Sequence, residues 1–90
     1  MSPDAIPRQR IALIAHDGRK ETLLDWVKKH RATLVHHDLV ATGTTGEQAE
    51  ATLGTPVRKL LSGPEGGDQQ MGALIAEGKV DILIFFWDPM

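Results

Sequence analysis

The sequence has no cysteine. That removes disulfides, a thiol nucleophile and thiolate metal sites from consideration, and it fits a cytoplasmic protein. It also lacks a charge excess of either sign: ten lysines and arginines face twelve acidic residues, for a net charge of −2. Such a balance offers no electrostatic case for binding nucleic acid or an anionic membrane, so any anionic ligand must be held by local groups. Long hydrophobic runs are missing too. The longest, Ile82 to Trp87, is far too short to span a bilayer. Ser2 to Arg10 has no apolar core and does not read as a signal peptide. No low-complexity stretch, short-period repeat or turn suited to a hairpin is present.

Ninety residues allow one domain, which at this length buries only about 60–65% of its unfolded surface and so has a thin stability margin. Residues 1–9, with Pro3 and Pro7, read as a mobile arm, and residues 10–90 as the domain. Arg10 to Ala15 is a nearly continuous apolar run, the pattern of a strand covered on both faces. From Lys20 to about His30 the period changes, with Leu23, Leu24 and Val27 on one helical face and Lys28, Lys29 and His30 at the end where the dipole favours cations. A second strand is expected over Leu34 to Ala41 and a short helix over Glu47 to Leu53, stopped by Gly54. Val57 to Leu61 reads as a third strand of uneven polarity, hence an edge. A helix from Gln69 to Glu77 closes at Gly78, and Val80 to Trp87 is the last and most apolar strand. Strand and helix alternate three times before a fourth strand. That order predicts an α/β fold, a three-layer, doubly wound parallel sheet with right-handed helical crossovers.

In such a sheet ligands bind outside the carboxyl ends of the strands. Those ends read His16-Asp17, Thr42-Gly43-Thr44-Thr45-Gly46, Ser62-Gly63 and Asp88-Pro89, whereas the opposite connections at Arg31 to Thr33, Gly54 to Pro56 and Gly78-Lys79 look like plain helix stops. Thr44-Thr45-Gly46 opens a helix, where N–H groups and hydroxyls suit a phosphate; an ordinary threonine N-cap explains the same residues. Lys20 lies at a helix start, where the dipole disfavours a cation, so it is either a solvated surface residue or kept to meet an anion. His16 is placed to donate to a ligand oxygen or to a neighbouring loop. In Ser62 to Gln70 three glycines and a proline precede a helix, with Asp68 expected at its N-cap. A carboxylate beside a phosphate cradle points to proton abstraction next to a carbonyl, against the plainer reading of a capped loop. His36-His37-Asp38 resembles a metal triplet, but adjacent strand residues face opposite ways, so no metal site is expected. The glycines match neither the Walker A pattern nor the dinucleotide fingerprint.

Four blocks, His16-Asp17, Ala41 to Gly46, Leu61 to Gln70 and Phe85 to Pro89, together resemble bacterial methylglyoxal synthase, from about Arg10 to the last residue. The resemblance implies methylglyoxal biosynthesis, a glycolytic bypass, by conversion of dihydroxyacetone phosphate to methylglyoxal and inorganic phosphate without metal or organic cofactor. It implies Asp68 as the base, with Asp88 at a further acidic position lining the site. It implies His16, Lys20, Thr42, Gly43, Thr44, Thr45, Ser62 and Gly63 as substrate-binding positions, chiefly for phosphate. It also implies a homohexamer. Members of that family run past the Trp-Asp-Pro segment into a further helix and strand that bring a histidine, an aspartate and arginines to the site. The chain stops at Met90, so it is expected to be incomplete at its C-terminus. The competing expectations are a truncated, inactive form and a regulatory effector-binding module like that attached to carbamoyl phosphate synthetase.

Overall fold

The computed structural model describes residues 7–87. Four parallel strands, β1 (Arg10–Ala15), β2 (Asp38–Thr42), β3 (Arg58–Leu60) and β4 (Ile82–Phe86), lie in the order β3-β2-β1-β4. The helices are α1 (Lys20–Lys29), α2 (Arg31–Leu34), α3 (Gly43–Leu53) and α4 (Gly67–Ala76), with short 3-10 turns at Asp17–Arg19 and Gly63–Glu65. None of the described helices is long and apolar enough to cross a membrane.

The alternation of side chains along each strand divides the core in two. Ile11, Leu13 and Ala15 of β1 join Leu39 and Ala41 of β2 against Leu23 and Val27 of α1 and Ala49 and Leu53 of α3. On the other face Ala12 and Val40 meet Leu60 and Met71, with Ile14, Leu74 and Val80 at the margin. Helices therefore cover both faces, as the uninterrupted apolar run of β1 requires.

At the amino ends of the strands, polar groups are paired with one another. Asp81 receives the Arg10 N–H and Nε, at 2.8 and 3.1 Å, on one carboxylate oxygen and Nη2, at 3.2 Å, on the other. The Asp81 N–H donates in turn to the Arg10 carbonyl at 2.8 Å. These bonds tie β4 to β1; the Arg10 hydrogen bonds hold the Asp81 carboxyl below its ordinary range, and Asp81 raises the guanidinium. Similarly, Glu50 of α3 accepts from the Val57 N–H and from Lys59 Nζ, each at 2.9 Å, and both bonds lower its pKa, the backbone bond more.

Several expected bounds move. The second strand begins at Asp38 rather than Leu34, because Arg31–Leu34 forms a further helical turn with Leu34 in the core and Arg31 Nε donating to the Leu53 carbonyl at 3.0 Å. The connection at Arg31 to Thr33 is thus not a plain helix stop. Helix α3 begins at Gly43 instead of Glu47, and β4 is shorter at both ends than Val80 to Trp87. Of the arm expected over residues 1–9, residues 1–6 lie outside the described residues; the Gln9 N–H donates to His37 Nδ1 at 3.0 Å.

Candidate functional site

The carboxyl ends of the strands open into a cleft of about 620 Å³. His16, Lys20, Thr42, Gly43, Thr44, Thr45, Ser62, Gly63 and Asp68 all line it. Residues from four separate segments are thereby brought together. Asp88, the remaining candidate, lies outside the described residues.

Each segment reaches the cleft for a local reason. After β1 the chain turns at His16, whose N–H donates to the Phe86 carbonyl at 3.0 Å and whose ring stands edge-on to Phe85, with centroids 5.3 Å apart and planes at 86°. Lys20 opens α1 and its Nζ donates to Thr44 Oγ1 at 3.0 Å, so a cation sits beside the first turn of α3. That turn starts directly at the end of β2. Gly43 has φ +47°, and a Cβ there would lie 3.0 Å from Ser62 Cα. Only glycine permits both the left-handed conformation and this approach of the two loops. Thr42 and Thr45 are buried at 9% and 1% exposure, while Thr44 is exposed to the cleft side.

The Leu61–Gln70 segment is the most constrained. The Ser62 carbonyl accepts from the Glu65 and Gly67 N–H groups at 3.0 and 2.8 Å, folding the 3-10 turn back on its start. Gly66, with φ +115°, then leads into α4. Asp68 is accordingly not the N-cap; it is the second residue of α4, and Gly66 occupies the cap position. A Cβ built on Gly67 would fall 1.9 Å from the Leu61 carbonyl oxygen, and one on Gly63 would fall 3.2 and 3.3 Å from the Asp68 carboxylate oxygens. The carboxylate therefore rests against the backbone of Gly63, next to the threonine and serine loops. Chemically the arrangement offers backbone N–H groups, hydroxyls and an ammonium group around an anion, with a carboxylate alongside.

Reading by residue type missed the apolar wall of the cleft. Ile14, Phe85, Met71, Gly72 and Ile75 line it. A signal for the helical part was present: Asp68, Met71, Gly72 and Ile75 are spaced i, i+3, i+4 and i+7, one face of α4. Gln70 was missed as well; its Oε1 accepts from the Leu61 N–H at 2.7 Å. Among the described residues no three His, Asp or Glu side chains gather as a metal site. His36 and His37 lie in the turn before β2.

Comparison with known proteins agrees with the resemblance read from the four blocks. A family model described as MGS-like domain matches residues 22–90. Methylglyoxal synthase of Pectobacterium atrosepticum is 58% identical over 86 residues, which make up 94% of this chain and 57% of that protein. Methylglyoxal synthase of Cellvibrio japonicus is 62% identical over 79 residues, covering 88% and 51%. The crystal structure of methylglyoxal synthase from Elizabethkingia anophelis matches with a TM-score of 0.87 at 55% identity, over 92% of this chain and 55% of that one. The chain thus spans about half the length of the curated relatives it matches. The same parallel sheet recurs in a relative of more than half-identical sequence, and the family match runs from the third residue of α1 to the last residue; the chain belongs to the family of MGS-like domains.

Proposed function

We propose that this chain carries the phosphate cradle and the base of a methylglyoxal synthase, a carbon–oxygen lyase that converts dihydroxyacetone phosphate to methylglyoxal and inorganic phosphate. The observation that carries the proposal is the meeting of the threonine loop, the Ser62-Gly63 turn and the Asp68 carboxylate in one cleft. In this reading Thr42, Gly43, Thr44, Thr45, Ser62 and Gly63 hold the phosphate, with Lys20 supplying positive charge and His16 donating to a substrate oxygen.

The Asp68 carboxylate takes a proton from the hydroxymethyl carbon, and the electron pair left behind forms an enediolate with the neighbouring carbonyl. Donors aimed at the developing oxyanion lower that barrier. When the C–O bond to phosphate stands perpendicular to the enediolate plane, its antibonding orbital overlaps the π system. The bond then breaks, phosphate leaves with the electron pair, and the resulting enol tautomerises to methylglyoxal. With that bond in the plane, elimination is slow and isomerisation competes. A cradle that fixes the phosphate thus selects the outcome. The same reading assigns the protein to the cytoplasm and to a homohexamer, with Asp88 lining the site.

The test is a colorimetric assay for methylglyoxal and phosphate formed from dihydroxyacetone phosphate, together with phosphate titration. Equal amounts of the two products are expected, and Asp68→Asn is expected to lower turnover about 10²–10⁴-fold with phosphate affinity retained. Turnover of the variant within about threefold of the parent would remove Asp68 as the base. Phosphate binding without turnover in the parent would instead leave a ligand-holding module.

A further inference from the structure

We propose that Gln70 is a positioning residue that fixes the distance between the phosphate cradle and the base, an inference that rests on the function proposed above. Leu61 lies just past the end of β3, which is an edge strand among the described residues. Gln70 Oε1, from the first turn of α4, accepts the Leu61 N–H at 2.7 Å. The side-chain amide closes a loop from Leu61 to Gln70.

Between those two residues Ser62, Gly63, Pro64 and Asp68 line the cleft. Ser62 and Gly63 are on one arm of the loop and Asp68 is on the other. The arms touch where the Asp68 carboxylate rests on Gly63 and where Gly67 passes beneath the Leu61 carbonyl. Two bonds to the Ser62 carbonyl hold the turn itself. They lie inside the loop; at its open end Met71, buried in one core cluster with Leu60, seats the helix on the strand. Gln70 adds the hydrogen bond that fixes Leu61 at that end. Gln70 is exposed and absent from the cleft lining, so it acts through Leu61 and Asp68 and not on a ligand. Reactions that depend on aligned groups lose about 10²-fold for a displacement near 1 Å, which makes such a tie visible in turnover.

The variants are Gln70→Met, which keeps the length and loses the acceptor, and Gln70→Glu, which keeps the acceptor oxygen. Gln70→Met is expected to lower kcat about tenfold or more, while the affinity for inorganic phosphate stays within about threefold. Gln70→Glu is expected to recover most of kcat, with its added charge raising KM for a phosphate ester. Hydrogen exchange at the Leu61 amide is expected to quicken about threefold to tenfold in Gln70→Met and to slow again in Gln70→Glu. A Gln70→Met kcat within about twofold of the parent, or parallel loss of kcat and phosphate affinity that glutamate does not reverse, overturns the proposal. A parent that makes no methylglyoxal refutes the lyase reading instead. Leu61 exchange then decides the tie by itself: unchanged exchange in Gln70→Met overturns it, and faster exchange reversed by glutamate sustains it.

Discussion

Both ends of the sheet carry polar side chains and use them in opposite ways. At the amino ends, charges satisfy each other: Arg10 clasps Asp81 across β1 and β4, Arg8 pairs with Asp38 at 3.2 Å, and His37 accepts the Gln9 N–H. Stability is what such pairs contribute, and exposed pairs contribute little. At the carboxyl ends the loops are built from glycines, whose missing side chains let backbones approach, and polar groups converge on a cleft. Polar residues alone do not mark a site. What distinguishes the two ends is whether the polar groups are folded onto one another or onto a shared space.

Substitutions at the two ends separate these uses. The largest structural effect is expected from Gly67→Ala, because the new methyl would meet the Leu61 carbonyl oxygen at 1.9 Å and the backbone cannot yield without shifting the turn. A loss of about 1–3 kcal/mol in denaturant unfolding is expected, accompanied by weaker phosphate binding. Unchanged phosphate affinity would show that the turn is not part of the cradle. Gly72→Ala should act in the other direction. A Cβ there has nothing within 4 Å, and replacing a helix-interior glycine gains about 0.5–1 kcal/mol. Since Gly72 lines the cleft, stability should rise while turnover stays level or falls; destabilisation would mean the position is already crowded.

The smallest effect belongs to the amino end. Asp81 and Glu50 have pKa values below their ordinary 3.8 and 4.5. Their contributions are therefore complete above those values and are lost as pH falls through the lower folded-state values. Asp81→Asn should be slightly less stable than the parent at neutral pH, with the gap closing in acid below pH 3.8 and phosphate binding untouched. A gap that stays constant across the acid range would show that charge on Asp81 does not matter.

The two edges of the sheet repeat the contrast in simpler form. β3 is guarded by Pro56 and by the exposed Arg58 and Lys59, the usual way to blunt an open edge. β4 is uncharged and leaves Ile82, Leu83 and Phe85 at 42%, 44% and 46% exposure. Both characters were legible beforehand, one as uneven polarity and one as an unbroken apolar run. The loops that line the cleft were legible too, since a carboxyl-end loop can be recognised once strands and helices alternate.

Other features gave no local signal. Helix α3 starts four residues earlier than expected because Gly43 is pressed against Ser62 and Gly46 against the Lys59 side chain, contacts made across the sheet. Glycines have poor helix propensity, so their inclusion in a first turn is a tertiary decision. The displaced start of β2 has a similar origin, because Leu34 is pulled into the core and Arg31 onto the end of α3. Asp68 moved from the cap into the first turn because the Ser62 carbonyl bonds draw the helix start back to Gly67.

By itself the sequence determined the alternation of strands and helices, the two-faced burial of β1 and the set of residues at the carboxyl ends, because apolar periodicity and breaker residues are local properties. Only the tertiary structure decided the order β3-β2-β1-β4, the seating of Asp68 on Gly63 and the Gln70 tie to Leu61. Those depend on which backbones come within contact distance once the layers pack, and no spacing along the chain encodes that distance.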